Sequence, residues 1–216
     1  MIRRLPVYLL LDTSGSMAGA PIEAVKDGMR SLIFELQLDP QAQETAYLSV
    51  ITFASAVRQV APLTEISAFI EPVLEAHGST CLGVALKLLQ ECYDKEVIKK
   101  TTETQRGDYQ PLVFLMTDGR PTDDWEKVAD EIGAIVRKGE VYARFVALGA
   151  GGSADTTVLK RLTDDVFMMP DMSTGAWTRL FLWVSQLIKT GSKSAVEGVG
   201  GSEPLPPPPL DINIVP

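Results

Sequence analysis

Histidine and cysteine are nearly absent from this 216-residue chain, which has one His and two Cys. A Ser-His-Asp mechanism would rest entirely on His77, which sits in a loop-like stretch before Gly78-Ser79-Thr80. Cys81 and Cys92 lie eleven residues apart in what reads as one helix, so roughly 16 Å separates them. A disulfide needs its Cα atoms within about 7 Å. The pair therefore reads as free thiols, which suits a reducing compartment. Cys81, near a helix start, is either a reactive thiol or simply packed, and packing is the default. Basic residues are also short: 20 Lys and Arg face 28 Asp and Glu, for a net charge of −8. No basic stripe exists for phosphates or anionic lipid. No apolar run approaches the ~18 residues of a membrane span. The opening MIRRLPVYLLLD has the charge order of a signal peptide. Pro6, the early Asp12 and the lack of an A-x-A cleavage pattern at the proper distance make a buried first strand the better reading, and a cytoplasmic location the expectation.

What is present alternates between short apolar runs and longer amphipathic ones. LPVYLLL reads as a buried strand. The next segment, from Pro21, places Ile22, Val25, Met29, Leu32, Ile33 and Leu36 at helical spacing. AYLSVITFAS and AVRQVAPL read as a hairpin with the second strand at a sheet edge. EISAFIEPVL reads as a short helix broken near Pro72, and CLGVALKLLQECYDKEVIKK as a long one. PLVFLMTDG is another strand. DWEKVADEIGAIVRKG is a helix stopped at Gly139, followed by strand VYARFVALGAGG and a short helix around DTTVLKRL. DVFMMP is a last strand and GAWTRLFLWVSQLIKT a closing helix. This order predicts an α/β fold: a doubly wound, mostly parallel sheet with one antiparallel edge strand and helices on both faces. The expected domain covers residues 1–190, with 191–216 as a Gly/Ser/Pro-rich tail of polyproline II character. Within the tail, LDINIVP alternates like a strand. It is either an unstructured end or a strand for a sheet edge, its own or a partner's.

Doubly wound sheets hold ligands beyond the carboxyl ends of their strands. Asp12 and Asp118 both sit at such ends. Ser14 and Ser16 follow Asp12 at every second position, and Thr80 stands at the entrance of the long helix. Each of these residue types also caps helices and makes turns, so the plain alternative is five separate caps. Asp123 and Asp124 read as caps of the DWEKV helix. Ser55 is close enough in pattern to orient neighbours, and Arg58 and Arg120 are candidates for the rim or for simple solvation.

Taken together, Asp12-x-Ser14-x-Ser16, Thr80 in a Gly-Ser-Thr loop, and Thr-Asp-Gly ending in Asp118 resemble the metal-ion-dependent adhesion site of the von Willebrand factor A family. The order matches over about residues 5–189. The resemblance implies a binding module rather than an enzyme, holding Mg²⁺ (or Mn²⁺ or Ca²⁺) through Asp12, Ser14, Ser16, Thr80 and Asp118. Oxygen donors of this kind suit hard cations. Two carboxylates balance the ion and three hydroxyls add no charge, so an Asp or Glu of a partner protein can complete the set. The family often shifts its last helix, here WTRLFLWVSQLI, although Trp177, Phe181 and Leu182 stand at ordinary core spacing. Within the family, RRLPVYLLLDTSGSMAGAPIEAVKDGM and VFLMTDGRPTDDW resemble bacterial TerY-type proteins of the tellurium-resistance cluster. That likeness implies a scaffold in a stress-response complex with kinase or phosphatase partners. It does not imply tellurite chemistry, since no thiol cluster is present.

Two enzyme classes compete. Asp12 after an apolar strand resembles the nucleophile of haloacid-dehalogenase-like phosphatases, but Ser14 stands where their D-x-D-x-T motif has its second Asp. Gly149–Ala154 (GAGGSA) matches the dinucleotide-binding G-x-G-x-x-A, with Asp171 at the expected distance. Too few strands follow it to complete a nucleotide-binding half.

Overall fold

The computed structural model describes residues 3–100, 107–137, 143–197 and 205–215. Gly139, the expected helix stop, lies outside them. Seven strands form one sheet in the order β3-β2-β1-β4-β5-β6-β7. Strand β1 (Leu5–Asp12) lies between β2 (Ala46–Phe53) and β4 (Leu112–Thr117), parallel to both. Strands β5 (Arg144–Ala150) and β6 (Val166–Met169) continue the parallel order. Both edges are antiparallel. β3 (Val57–Glu65) returns along β2 as the expected hairpin, and β7 (Asn213–Ile214) pairs with β6.

The unbroken apolar run of β1 is explained by burial on both faces. Leu5, Val7, Leu9 and Leu11 point into one core with Phe114, Val146 and the helices α1 (Ala20–Gln37) and α6 (Thr174–Glu197). Tyr8 and Leu10 point into the other, with Phe53, Leu115, Phe145, α3 (Leu82–Glu96), α4 (Glu126–Arg137) and α5 (Thr156–Leu162). The six apolar residues that mark the α1 stripe are all buried. In α6, Trp177 and Phe181 are buried and Leu182 only half so.

Two local readings need correction, and one short helix is additional to them. EISAFIEPVL makes only a 3-10 turn at Ile66–Ala68, and from Phe69 the chain runs without regular structure, since Pro72 has no N–H to donate. A short helix α2 (Pro40–Thr45) precedes β2, with Asp39 accepting the Ala42 N–H at 2.8 Å and Pro40 opening the first turn. Asp123 does not cap the helix that follows it. Its carboxylate accepts the N–H groups of Gly83 and Val84 at 3.1 and 3.0 Å, capping α3 across the top of the sheet.

Helices α1 and α6 meet where Gly28 faces Phe181. A Cβ on Gly28 would stand 2.3 Å from a ring carbon of this fully buried phenylalanine. Alanine would gain about 1 kcal/mol in helix propensity, but overpacking costs about 1–3 kcal/mol. Gly28→Ala is therefore expected to lower stability by about 1 kcal/mol and Gly28→Val by more. The check is a fall in the urea midpoint at unchanged slope.

Candidate metal centre

Strands β1 and β4 are neighbours whose connections leave in opposite directions across the sheet, a topological switch point at their carboxyl ends. Asp12 closes β1 and Asp118 follows β4, both nearly buried at 1% and 5% exposure. The Asp12 carboxylate is held from two sides. One oxygen accepts the Ser14 N–H at 2.9 Å and the other the Thr117 hydroxyl at 2.5 Å. Burial pushes the Asp12 carboxyl above its ordinary pKa; the bonds from Thr117 and Ser14 pull it back, and the nearby Asp118 charge adds to the rise.

The Ser14 hydroxyl lies 3.1 Å from that of Ser16, which donates to Asp118 at 2.8 Å. Thr80 Oγ1 is 3.8 Å from where a Cβ on Gly119 would stand, so this hydroxyl approaches the turn just after Asp118. The plain capping alternative is not realised for Ser14 or Thr80. Ser14 precedes a 3-10 turn without a side-chain cap bond. The cap position of α3 belongs to Cys81, which makes none either, and Asp123 does that work.

Backbone bonds lock the three loops together. Gly15 N–H donates to Gly78 O at 2.9 Å and His77 N–H to Thr13 O at 2.8 Å. Thr122 N–H donates to Thr80 O, and the Thr122 hydroxyl accepts from Thr80 N–H at 3.1 Å. Gly78 has φ +79°, and a Cβ there would stand 2.3 Å from the Ser55 hydroxyl. Ser55 in turn accepts the Ser79 N–H at 2.9 Å, so it steadies the loop that carries Thr80. The His77 side chain is exposed. Arg120 is exposed and pairs with Asp155 at 3.3 Å, while Arg58 is an exposed residue of β3.

Thr117 and Thr122 are the contributors that sequence reading missed. Thr117 carried a signal: a polar residue closing a buried apolar strand directly before the acid. Thr122 carried none, because its role exists only once α3 and the β4–α4 loop touch.

The donor chemistry fits a hard divalent cation. Oxygens around octahedral Mg²⁺ lie at about 2.1 Å from the ion, hence about 3 Å from one another along an edge. The Ser14–Ser16 and Ser16–Asp118 separations have that size. Among the described residues no group of three or more His, Cys, Asp or Glu is placed to hold a metal; this cluster has two acids and is otherwise hydroxyl.

The glycine-rich GAGGSA stretch has structural reasons of its own. A Cβ on Gly149 would stand 2.4 Å from Met168 Sδ, so the residue permits β5–β6 contact, and Gly151 turns with φ +71°. Asp171 accepts from Ser173 N–H at 2.9 Å beside the start of α6.

The von Willebrand factor type A domain profile matches residues 7–175. An uncharacterized protein of Synechocystis is 34% identical over 120 residues, 54% of this chain and 26% of that protein. The chain thus spans about a quarter of that relative. Proximal thread matrix protein 1 of the mussel byssus, solved with zinc in its MIDAS motif, superposes with a TM-score of 0.59 at 20% identity, over 86% of this chain and 48% of its own. The manganese-loaded TRAP protein of Plasmodium vivax gives 0.54 at 21% identity, over 77% of this chain and 68% of its own. With the family profile covering most of its length, the chain belongs to the von Willebrand factor type A domain family.

Proposed function

We propose that this chain is a divalent-cation-dependent protein-binding module whose partner contributes an Asp or Glu side chain. The convergence of two buried carboxylates, Asp12 and Asp118, on the hydroxyls of Ser14 and Ser16 carries this reading. Ser14 and Ser16 would hold Mg²⁺ directly, with Thr80, Asp12 and Asp118 acting directly or through water. When bound, the ion supplies a Lewis-acidic position that a carboxylate can fill. The chain's own part is to hold its donors still. Thr117 and the Ser14 amide orient Asp12, while Ser55 and Thr122 fix the Thr80 loop. The mussel protein with zinc and the Plasmodium protein with manganese support a divalent ion. Von Willebrand factor type A domains are in general interaction modules rather than enzymes, and that supports binding over catalysis.

The finer placement rests on sequence likeness to TerY-type proteins. It makes the module a cytoplasmic scaffold of a bacterial stress-response complex, with a kinase or phosphatase as the natural partner class. No helix among the described residues is long and apolar enough to cross a membrane.

Calorimetric titration with Mg²⁺ and with Mn²⁺, in buffer free of carboxylate, is expected to give saturable binding to the wild type. Asp12→Ala and Ser14→Ala/Ser16→Ala should abolish it. A wild type that takes up neither ion, alone or with a partner present, ends the metal reading. Thr117→Val leaves every proposed ligand in place but removes the hydroxyl that orients Asp12. Loss of such a supporting group lowers metal affinity about 10–100-fold. The same titration checks this, and an unchanged affinity would show that Thr117 is a packing residue only.

A further inference from the structure

Residues 205–215 form a strap over α6 and the β6 edge. The strap runs antiparallel to α6: Pro206 O accepts the Trp183 indole N–H at 3.1 Å, and further along Asp211 meets Arg179 at 2.5 Å. Leu205 packs against the core on the α1–α6 side, and Ile212 enters it at 4% exposure. β7 then pairs with β6, Val215 N–H donates to Val166 O at 3.0 Å, and Val215 packs on the opposite core. The strap therefore wraps the sheet edge and touches both faces. Trp183, edge-on to Phe167 at 4.9 Å, forms the floor beneath Pro206.

We propose that the α6–β6 edge is a peptide-binding groove whose partner is a second copy of this chain, inserting its own residues 205–215 in place of the resident strap. The recognition is that of strand addition, in which main-chain bonds supply affinity and side-chain pockets specificity. Here the pocket residue is Ile212, the charge contact Asp211, and the proline run 206–209 is already extended before it binds.

A second copy fits because its segment is chemically identical to the resident one, and exchange conserves every contact. The resident strap is held by few of them. β7 has two residues, and the Arg179–Asp211 pair is half and one-third exposed, which adds little. Such a segment opens without global unfolding. Leu210 is fully exposed and Ile214 is 64% exposed on the seated strap. A short tether gives the resident segment an effective concentration in the millimolar range, so exchange belongs to crowded copies rather than dilute ones.

The test uses the 216-residue chain carrying Ile212→Asp, whose own strap cannot seat, and a fluorescent peptide of residues 204–216. Anisotropy should show saturable binding to this variant and at least tenfold weaker binding to the wild type, whose groove is filled. A peptide carrying the same substitution should not bind. A variant that keeps its far-UV circular dichroism and its thermal transition yet ignores the wild-type peptide would overturn the groove. Should the variant fail to fold, wild-type sedimentation decides. Dimer should grow as the protein approaches about 1 mM and dissolve when excess free peptide is added. A chain that stays monomeric over that range, or a dimer indifferent to the peptide, would overturn exchange.

Discussion

Everything at the top of this domain answers to one constraint: two carboxylates, Asp12 and Asp118, are buried together at the end of a sheet. A buried charge is tolerated only when paired and hydrogen-bonded. Here the partial answer is built from neutral groups. A hydroxyl from Thr117 and an amide from Ser14 hold Asp12, and Ser16 donates to Asp118. None of these supplies positive charge, and Arg120, two residues after Asp118, is paired with Asp155. The cluster is thus polar and preorganised. The loop-to-loop backbone bonds gain their meaning from this, because they keep the oxygens together where repulsion would spread them.

The sheet topology decides where that constraint can be met. Parallel strands all point their carboxyl ends to the same side, and the chain leaves β1 and β4 in opposite directions. The gap between their following loops is the one place where two strand ends can present acids to a shared space. The α3 entrance closes the third side, and Asp123 holds it there from the β4–α4 loop.

The sequence was most legible where periodicity and chemistry spoke locally. Strand β1, the α1 stripe and the D-x-S-x-S run could be read from contiguous residues, and the structure brings Asp12, Ser14, Ser16 and Asp118 together. Legibility failed where function depends on a distant neighbour. Asp123 looks like a cap for the helix beside it, but the amides it reaches are forty residues earlier in the chain. Thr122 has a role only after two loops dock. The segment after Ile66 reads as helical, yet Pro72 interrupts it, and Phe69 and Leu74 are buried in the core from an irregular stretch. The β7 residues read first as a loose end and second as an edge strand, because alternation over five residues does not say whether an edge is open.

The chain's net charge of −8 sharpens what kind of recognition such a centre can perform. A partner that offers a carboxylate gains nothing from long-range attraction to an acidic surface, and screening at physiological salt confines charge effects to about 8 Å. For the proposed partner, electrostatic steering would not be the source of speed, and association would fall among the unsteered rates of about 10⁵–10⁶ M⁻¹s⁻¹. Selectivity must arise at contact range, where a cation held by neutral hydroxyls keeps much of its charge for the incoming group. A site with more acids would hold its ion better and attract that group less. On the proposed ligand set, three hydroxyls with two acids would be the compromise by which an acidic domain binds an acidic partner.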